Sequence, residues 1–324
     1  MTPKERATLA LQRKIPDQVP TFELEFQLEE ELFGRKFITP DLSSEELQKA
    51  SQKERERRIY GLAEYMAEVY TALEYSIIPS YGEWSWNPQW NEGIIGENTL
   101  LLIRYLNELM GDRALLGYHG DGTFAIPDGN DMYEFAYRTD DDPEGLMAEA
   151  EHNAEMAIKR NRQLREAGIS VSLLCSDYCY NSGPFLSPEM FSQFIQPYLA
   201  KIIAANRAAG LFSIKHTDGN IMPIIDQMVD AEPDALHSID PMAGVDIREV
   251  KEKYGDRICL VGNVHCAALQ TGTDEEVRES AEYCLTWAKP GGGYIFSTSN
   301  VPFKGMPPER YRMILDIWKE MRAY

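Results

Sequence analysis

A chain of 324 residues with 44% apolar content is long enough to bury a sizeable core in one domain. Its 32 basic residues stand against 52 acidic ones, a formal net charge of −20 that would repel nucleic-acid phosphates and anionic lipid. Neither nucleic acid nor a membrane is therefore an expected partner, and no apolar run approaches the ~20 residues a bilayer helix needs. The opening Met1-Thr2-Pro3-Lys4-Glu5-Arg6 is charged and lacks the apolar stretch and cleavage site of a signal peptide, so a cytoplasmic location is expected. Cys175, Cys179, Cys259, Cys266 and Cys284 are too sparse for a disulfide framework and are expected as thiols.

From residue 19 onward, short β-rich runs alternate with longer segments of helical period, the pattern of parallel strands and crossover helices. The first predicted strand, 19–26, carries Glu23 and Glu25 at alternate positions, which places both on one face. The second, 75–81, ends at Tyr81 and leads into the stretch 82–98, which holds Trp84, Trp86 and Trp90 and is too long for an ordinary connection. Aromatics beside a pocket suit a flat ring or a quaternary ammonium group, though they could equally cover the top of the fold. The third strand, 114–121, ends at Asp121. The fourth, 170–177, ends at Asp177, flanked by Cys175 and Cys179, which read as packing residues. The fifth, 212–219, carries His216-Thr217-Asp218-Gly219-Asn220. The sixth, 235–241, has His237 and then Asp240 before Pro241; the seventh, 258–264, has Gly262-Asn263 and is followed by His265-Cys266. The eighth, 294–300, ends in Ser297 to Asn300. Ser43, Ser187 and Thr273 open intervening helices as N-caps.

Eight such units predict an α/β fold, a single (β/α)8 TIM-type barrel over residues 1–324 with an N-terminal helical extension. An open doubly wound sheet is the alternative, but no Gly-x-Gly-x-x-Gly turn follows the first strand. In a barrel the carboxyl ends of all strands meet on one face, so polar groups far apart in sequence become neighbours there. His216, Asp218, Asp240, Asp177 and Glu23 are the catalytic candidates. His216, Asp218 and His265 are the metal-ligand candidates. Tyr81, Trp84, Trp86, Trp90, Asn220, Asn263 and His237 are candidates for contacting substrate. Competing roles are open: Asp218 could cap the following helix, and His237 could be a hydrogen-bonded interior histidine.

Several motifs carry a family resemblance: Lys4-Glu5-Arg6 with Asp17-Gln18-Val19-Pro20, then Leu186-Ser187-Pro188-Glu189-Met190-Phe191, His216-x-Asp218-Gly219-Asn220, Tyr254-Gly255-Asp256-Arg257 and Gly262-Asn263-Val264. Together, over nearly the whole chain, they resemble the uroporphyrinogen decarboxylase superfamily. That resemblance implies one (β/α)8 barrel and one of two chemistries: porphyrinogen decarboxylation, or zinc-dependent methyl transfer to or from corrinoid proteins. The decarboxylases carry Arg-Gln-Ala-Gly-Arg after the first strand, whereas this chain has Phe26-Gln27-Leu28-Glu29-Glu30-Glu31-Leu32, with no basic residue before Arg35. The methyltransferase branch uses His-x-Cys at the fifth strand and a further cysteine near the last. Here Asp218 replaces the first cysteine, and the serines between 297 and 299 stand where the second would be. Harder ligands suit an oxygen or nitrogen donor over a thiol. The expectation is therefore methyl transfer from an O- or N-methyl donor, a methoxylated aromatic for example, to a corrinoid (cobalamin) on a small partner protein, with Zn2+ activating the leaving group. A decarboxylase and a noncatalytic barrel that binds a ligand or a corrinoid partner are the alternatives, and assembly as a homodimer is left open.

Overall fold

The computed structural model describes residues 1–80 and 82–324; Tyr81, a candidate for substrate contact, lies outside the described residues. The described strands are β1 (Ile77–Pro79), β2 (Leu115–His119), β3 (Val171–Leu174), β4 (Cys179–Tyr180), β5 (Gly183–Pro184), β6 (Phe212–Thr217), β7 (Ala235–Ser238), β8 (Cys259–Val264) and β9 (Tyr294–Thr298). Seven form one parallel sheet in the order β1-β2-β3-β6-β7-β8-β9, while β4 and β5 make a short antiparallel hairpin past the end of β3.

The predicted first strand, 19–26, shrinks to a single bridge. Thr21 pairs in parallel with Phe296 of β9, and the Ser76 N–H, just before β1, donates to the Thr21 carbonyl at 2.8 Å. The Phe296 N–H donates to Pro20 O at 2.9 Å and the Phe22 N–H to Phe296 O at 3.2 Å. Residues 20–22 thereby join the two edges of the sheet and close the TIM-type barrel. The run stays short because Pro20 has no N–H to donate and the chain bends at Leu24.

Alternating residues fill the barrel, among them Ile77, Leu115, Val171, Leu173, Ile214, Ala235, Val261 and Ile295. The helix Pro3–Leu11 adds Ala7, Ala10 and Leu11 to this cluster, all wholly buried. Its Lys4 N–H donates to Arg113 O, just ahead of β2, so the helix plugs the amino-terminal mouth. Burying each large aliphatic side chain contributes roughly 1.5–3 kcal/mol. Ser43, Ser187 and Thr273 do cap their helices, accepting from the N–H groups of Glu46, Met190 and Glu276. No helix among the described residues is long and apolar enough to cross a membrane.

A candidate metal centre in the barrel mouth

Successive residues of β6 alternate, so His216 follows Ile214 on the interior face, near the carboxyl end of the strand. The ring is 4% exposed, and its protonation follows from its neighbours. The His237 Nε2 lies 3.1 Å from the Thr298 carbonyl and 3.3 Å from Ser297 Oγ, whose own proton goes to Glu23. A carbonyl can only accept, so the His237 proton sits on Nε2 and its Nδ1 is bare. Burial keeps His237 neutral, its pKa well below the usual value. That bare Nδ1 lies 2.8 Å from the His216 Nδ1, which must then be the donor. Burial, with help from Lys215 and His119, lowers the His216 pKa to about 3, so this ring is neutral too. Its remaining nitrogen, Nε2, presents a free lone pair.

The lone pair faces two carboxylates, with Asp177 Oδ1 and Asp218 Oδ1 each 3.8 Å away. That is too long for a hydrogen bond, whereas ligands about 2 Å from a tetrahedral ion stand about 3.3 Å apart. Donor atoms of Asp177, His216 and Asp218 all lie within 4.8 Å of one another, the one such group of three among the described residues. Burial, and then the nearby Asp177 and Asp240 charges, push Asp218 up to about 7, although a hydrogen bond from Ser238 works the other way. Asp218 is held from both sides: Ser238 Oγ donates to Oδ1 at 2.8 Å and Asn300 Nδ2 donates to Oδ2. Ser238 has φ +83° and Ile239 φ +52°, strained values for non-glycine residues. Gly219, at φ +83°, is required beside it, because a Cβ there would sit 2.5 Å from Cys179 O of the hairpin.

His216 and Asn300 line a cavity of about 490 Å³. Trp84 and Trp90 line it, their rings 5.3 Å apart, and the Arg160 guanidinium covers Trp90 at 4.3 Å. Three residues missed by the sequence reading as a group meet on the same wall: Glu25, His119 and Cys175. The His119 Nε2 is 3.7 Å from Glu25 Oε1, and Cys175 lines the cavity with them. Burial opposes a charge on His119, but Cys175 and Glu25 outweigh it and raise the ring to about 10. The signal was present, since His119 lies two residues before the predicted strand end at Asp121. Asp121 itself forms a buried ion pair with Lys215 at 3.0 Å and accepts N–H bonds from Gly122, Thr123 and Ser176.

Other predicted site residues are placed elsewhere. Glu23 does not share a face with Glu25; it is buried against β9, accepting from Ser297, Thr298 and Tyr311. Asp240 caps a turn, both its oxygens taken by the N–H groups of Gly219 and Met242. His265 is not in the metal cluster: its Nδ1 caps the helix Cys266–Thr271, and it lines a separate groove with Asn263. Asn263 is pinned to Ile239 O, and Asn220 starts a turn by accepting from Met222 N–H. Trp86 is core, donating to Leu42 O, unlike its two neighbours in the loop. His237 is wholly buried and acts on His216 instead of substrate.

The Uroporphyrinogen decarboxylase (URO-D) family model matches residues 128–321, more than half of the chain. The chain belongs to this family. Over 238 residues it is 27% identical to a uroporphyrinogen decarboxylase of Thioalkalivibrio sulfidiphilus, covering 66% of this chain and 61% of that protein. Over 149 residues it is 24% identical to the enzyme of the same name from Psychromonas ingrahamii, covering 43% and 39%. The chain thus spans less than two thirds of these relatives' length. Among solved structures, a methyltransferase from Methanosarcina mazei superposes with a TM-score of 0.75 over 99% of both chains at 18% identity, a likeness of fold.

Proposed function

We propose that this URO-D family member is a methyltransferase that takes a methyl group from an O- or N-methyl donor, such as a methoxylated aromatic, and passes it to a corrinoid on a small partner protein. The observation that carries the reading is the bare Nε2 of His216 facing Asp177 and Asp218 beside a tryptophan-walled cavity. A bare ring nitrogen and two carboxyl groups fit one divalent cation, which would favour the charged form of Asp218, and their nitrogen and oxygen character suits Zn2+ without requiring thiolates. When bound, Zn2+ would supply Lewis acidity at the heteroatom of the donor, and the corrinoid would be the methyl acceptor.

The chain's own residues orient and hold. His237 and Thr298 fix the His216 tautomer, while Ser238 and Asn300 fix the Asp218 carboxylate. Trp84 and Trp90 offer flat apolar surface for an aromatic or methylated-cation donor, and Arg160 holds the loop by donating to Trp90 O and Asp121 O. Decarboxylation of a polycarboxylate fits less well, because no arginine or lysine is among the residues lining the cavity, while Glu25 and Asp121 are.

Protein purified without added metal should hold about one divalent ion per chain by elemental analysis. With reduced corrinoid it should demethylate methoxylated aromatics or methylated amines in preference to methyl thioethers, and should not methylate coenzyme M. Turnover of a porphyrinogen without metal, and no methyl transfer from any donor, would overturn the reading. Transfer from thioethers alone would overturn the donor class.

A further inference from the structure

With a cation bound, the lone pairs of Asp177, His216 and Asp218 are committed to it, and an ether that loses its methyl leaves an oxyanion that a proton from another group would neutralise. Lys215 cannot serve: it is wholly buried, held by Asp121 and the Ser176 carbonyl, with its ammonium 3.9 Å from the Tyr178 ring. His119 is differently placed. It ends β2, its ring lines the cavity that also holds His216, and its side chain keeps 32% of its surface open. Glu25 approaches it from the barrel-closing segment, and Cys175 from beyond β3, whose Leu173 is the register partner of His119. A carboxylate beside an imidazole that faces a substrate cavity is an arrangement that keeps the ring charged and oriented.

Resting on the methyltransferase reading, we propose that His119 is the general acid of the reaction, delivering a proton to the leaving heteroatom, with Glu25 as its positioning residue. The methyl carbon–oxygen bond breaks with its electron pair left on oxygen. The new bond to carbon is made with an electron pair from the reduced corrinoid acceptor. The His119 proton moves to the oxygen, giving a neutral alcohol or phenol, and the ring is reprotonated from solvent. The charged and titratable groups around it are Glu25 at 3.7 Å, Tyr118 beside it in sequence at 6.3 Å between ring centroids, and Cys175, Asp121 and His216 on the lining of the same cavity. Glu25, 3.7 Å from the ring, favours its charged form.

The test uses a series of methyl aryl ethers whose phenols range from weakly to strongly acidic, with reduced cobalamin as acceptor. General acid catalysis contributes about 10²–10⁴-fold. His119→Gln should therefore lose at least ~100-fold with the least acidic phenol and under ~10-fold with a nitrophenol, at unchanged metal content. Glu25→Gln should move the alkaline fall in rate to lower pH. Ring nitrogen shifts by NMR should show His119 protonated at pH 8 in the wild type. A uniform loss across the ethers, or a neutral His119 at pH 7, overturns the proposal and leaves the methyltransferase reading intact. If the wild type transfers methyl from no donor, both fall.

Discussion

A neutral imidazole can carry its proton on either nitrogen, and in His216 another histidine makes the choice. If His237 holds the tautomer by accepting from His216 Nδ1, then His237→Phe should weaken metal binding about 10–100-fold in chelator competition. His237→Gln, which keeps an acceptor, should retain most of the affinity. Glu23 gives a second test. Burial raises its pKa from 4.5 to about 8 despite its four donors, so the folded state prefers the protonated form. With the folded value above the unfolded one, the contribution is full below about pH 4.5 and is lost as pH rises through 8. The difference in urea stability between the wild type and Glu23→Gln should therefore shift by on the order of 4 kcal/mol between pH 5 and 8, with Gln the flatter curve. His216 and Asp218 were legible in sequence because strand ends announce themselves. The tautomer was not, since it depends on a carbonyl 82 residues beyond His216.

Strands in this barrel are tied at their ends as well as along their ladders. Lys215 on β6 reaches Asp121 beyond β2, and Asp121 in turn holds Ser176 beyond β3. Burial alone would raise Asp121, but Lys215 and the backbone N–H donors outweigh it and hold it at about 2, below its usual value. The stability it contributes is present above the unfolded value near 3.8 and is lost as pH falls through 2. Removing one partner leaves an uncompensated buried charge, so Lys215→Met should cost about 3–5 kcal/mol in urea unfolding, and Lys215→Met with Asp121→Leu should recover much of that. Sequence periodicity located seven of the eight predicted strands, because apolar runs bounded by polar ends are visible in one dimension. It overstated the first, where Pro20 limits the ladder, and it passed over the β4–β5 hairpin, whose two-residue strands leave no periodic signal. A lysine buried by pairing looks in sequence like any lysine.

Across the whole molecule the two barrel mouths divide the labour: His216 with Asp177 and Asp218, and Trp84 with Trp90, are at one, and the helix Pro3–Leu11 fills the other. Leu11→Ala should cost about 2–5 kcal/mol of stability while leaving metal content and the methyl-transfer rate per folded molecule unchanged, because the loss is confined to the plugged end. The same geometry sets a constraint on birth. Thr21 and the strand partner that closes the ring, Phe296, are 275 residues apart, and Ile295 helps cover the helix made first. At roughly 5–20 residues per second a ribosome needs tens of seconds to add that stretch. Throughout that time the apolar face of the opening helix has no finished barrel to enter. Nascent chains stalled before residue 294 should remain open to protease along residues 3–26 and should recruit chaperones, whereas released full-length chains should be resistant.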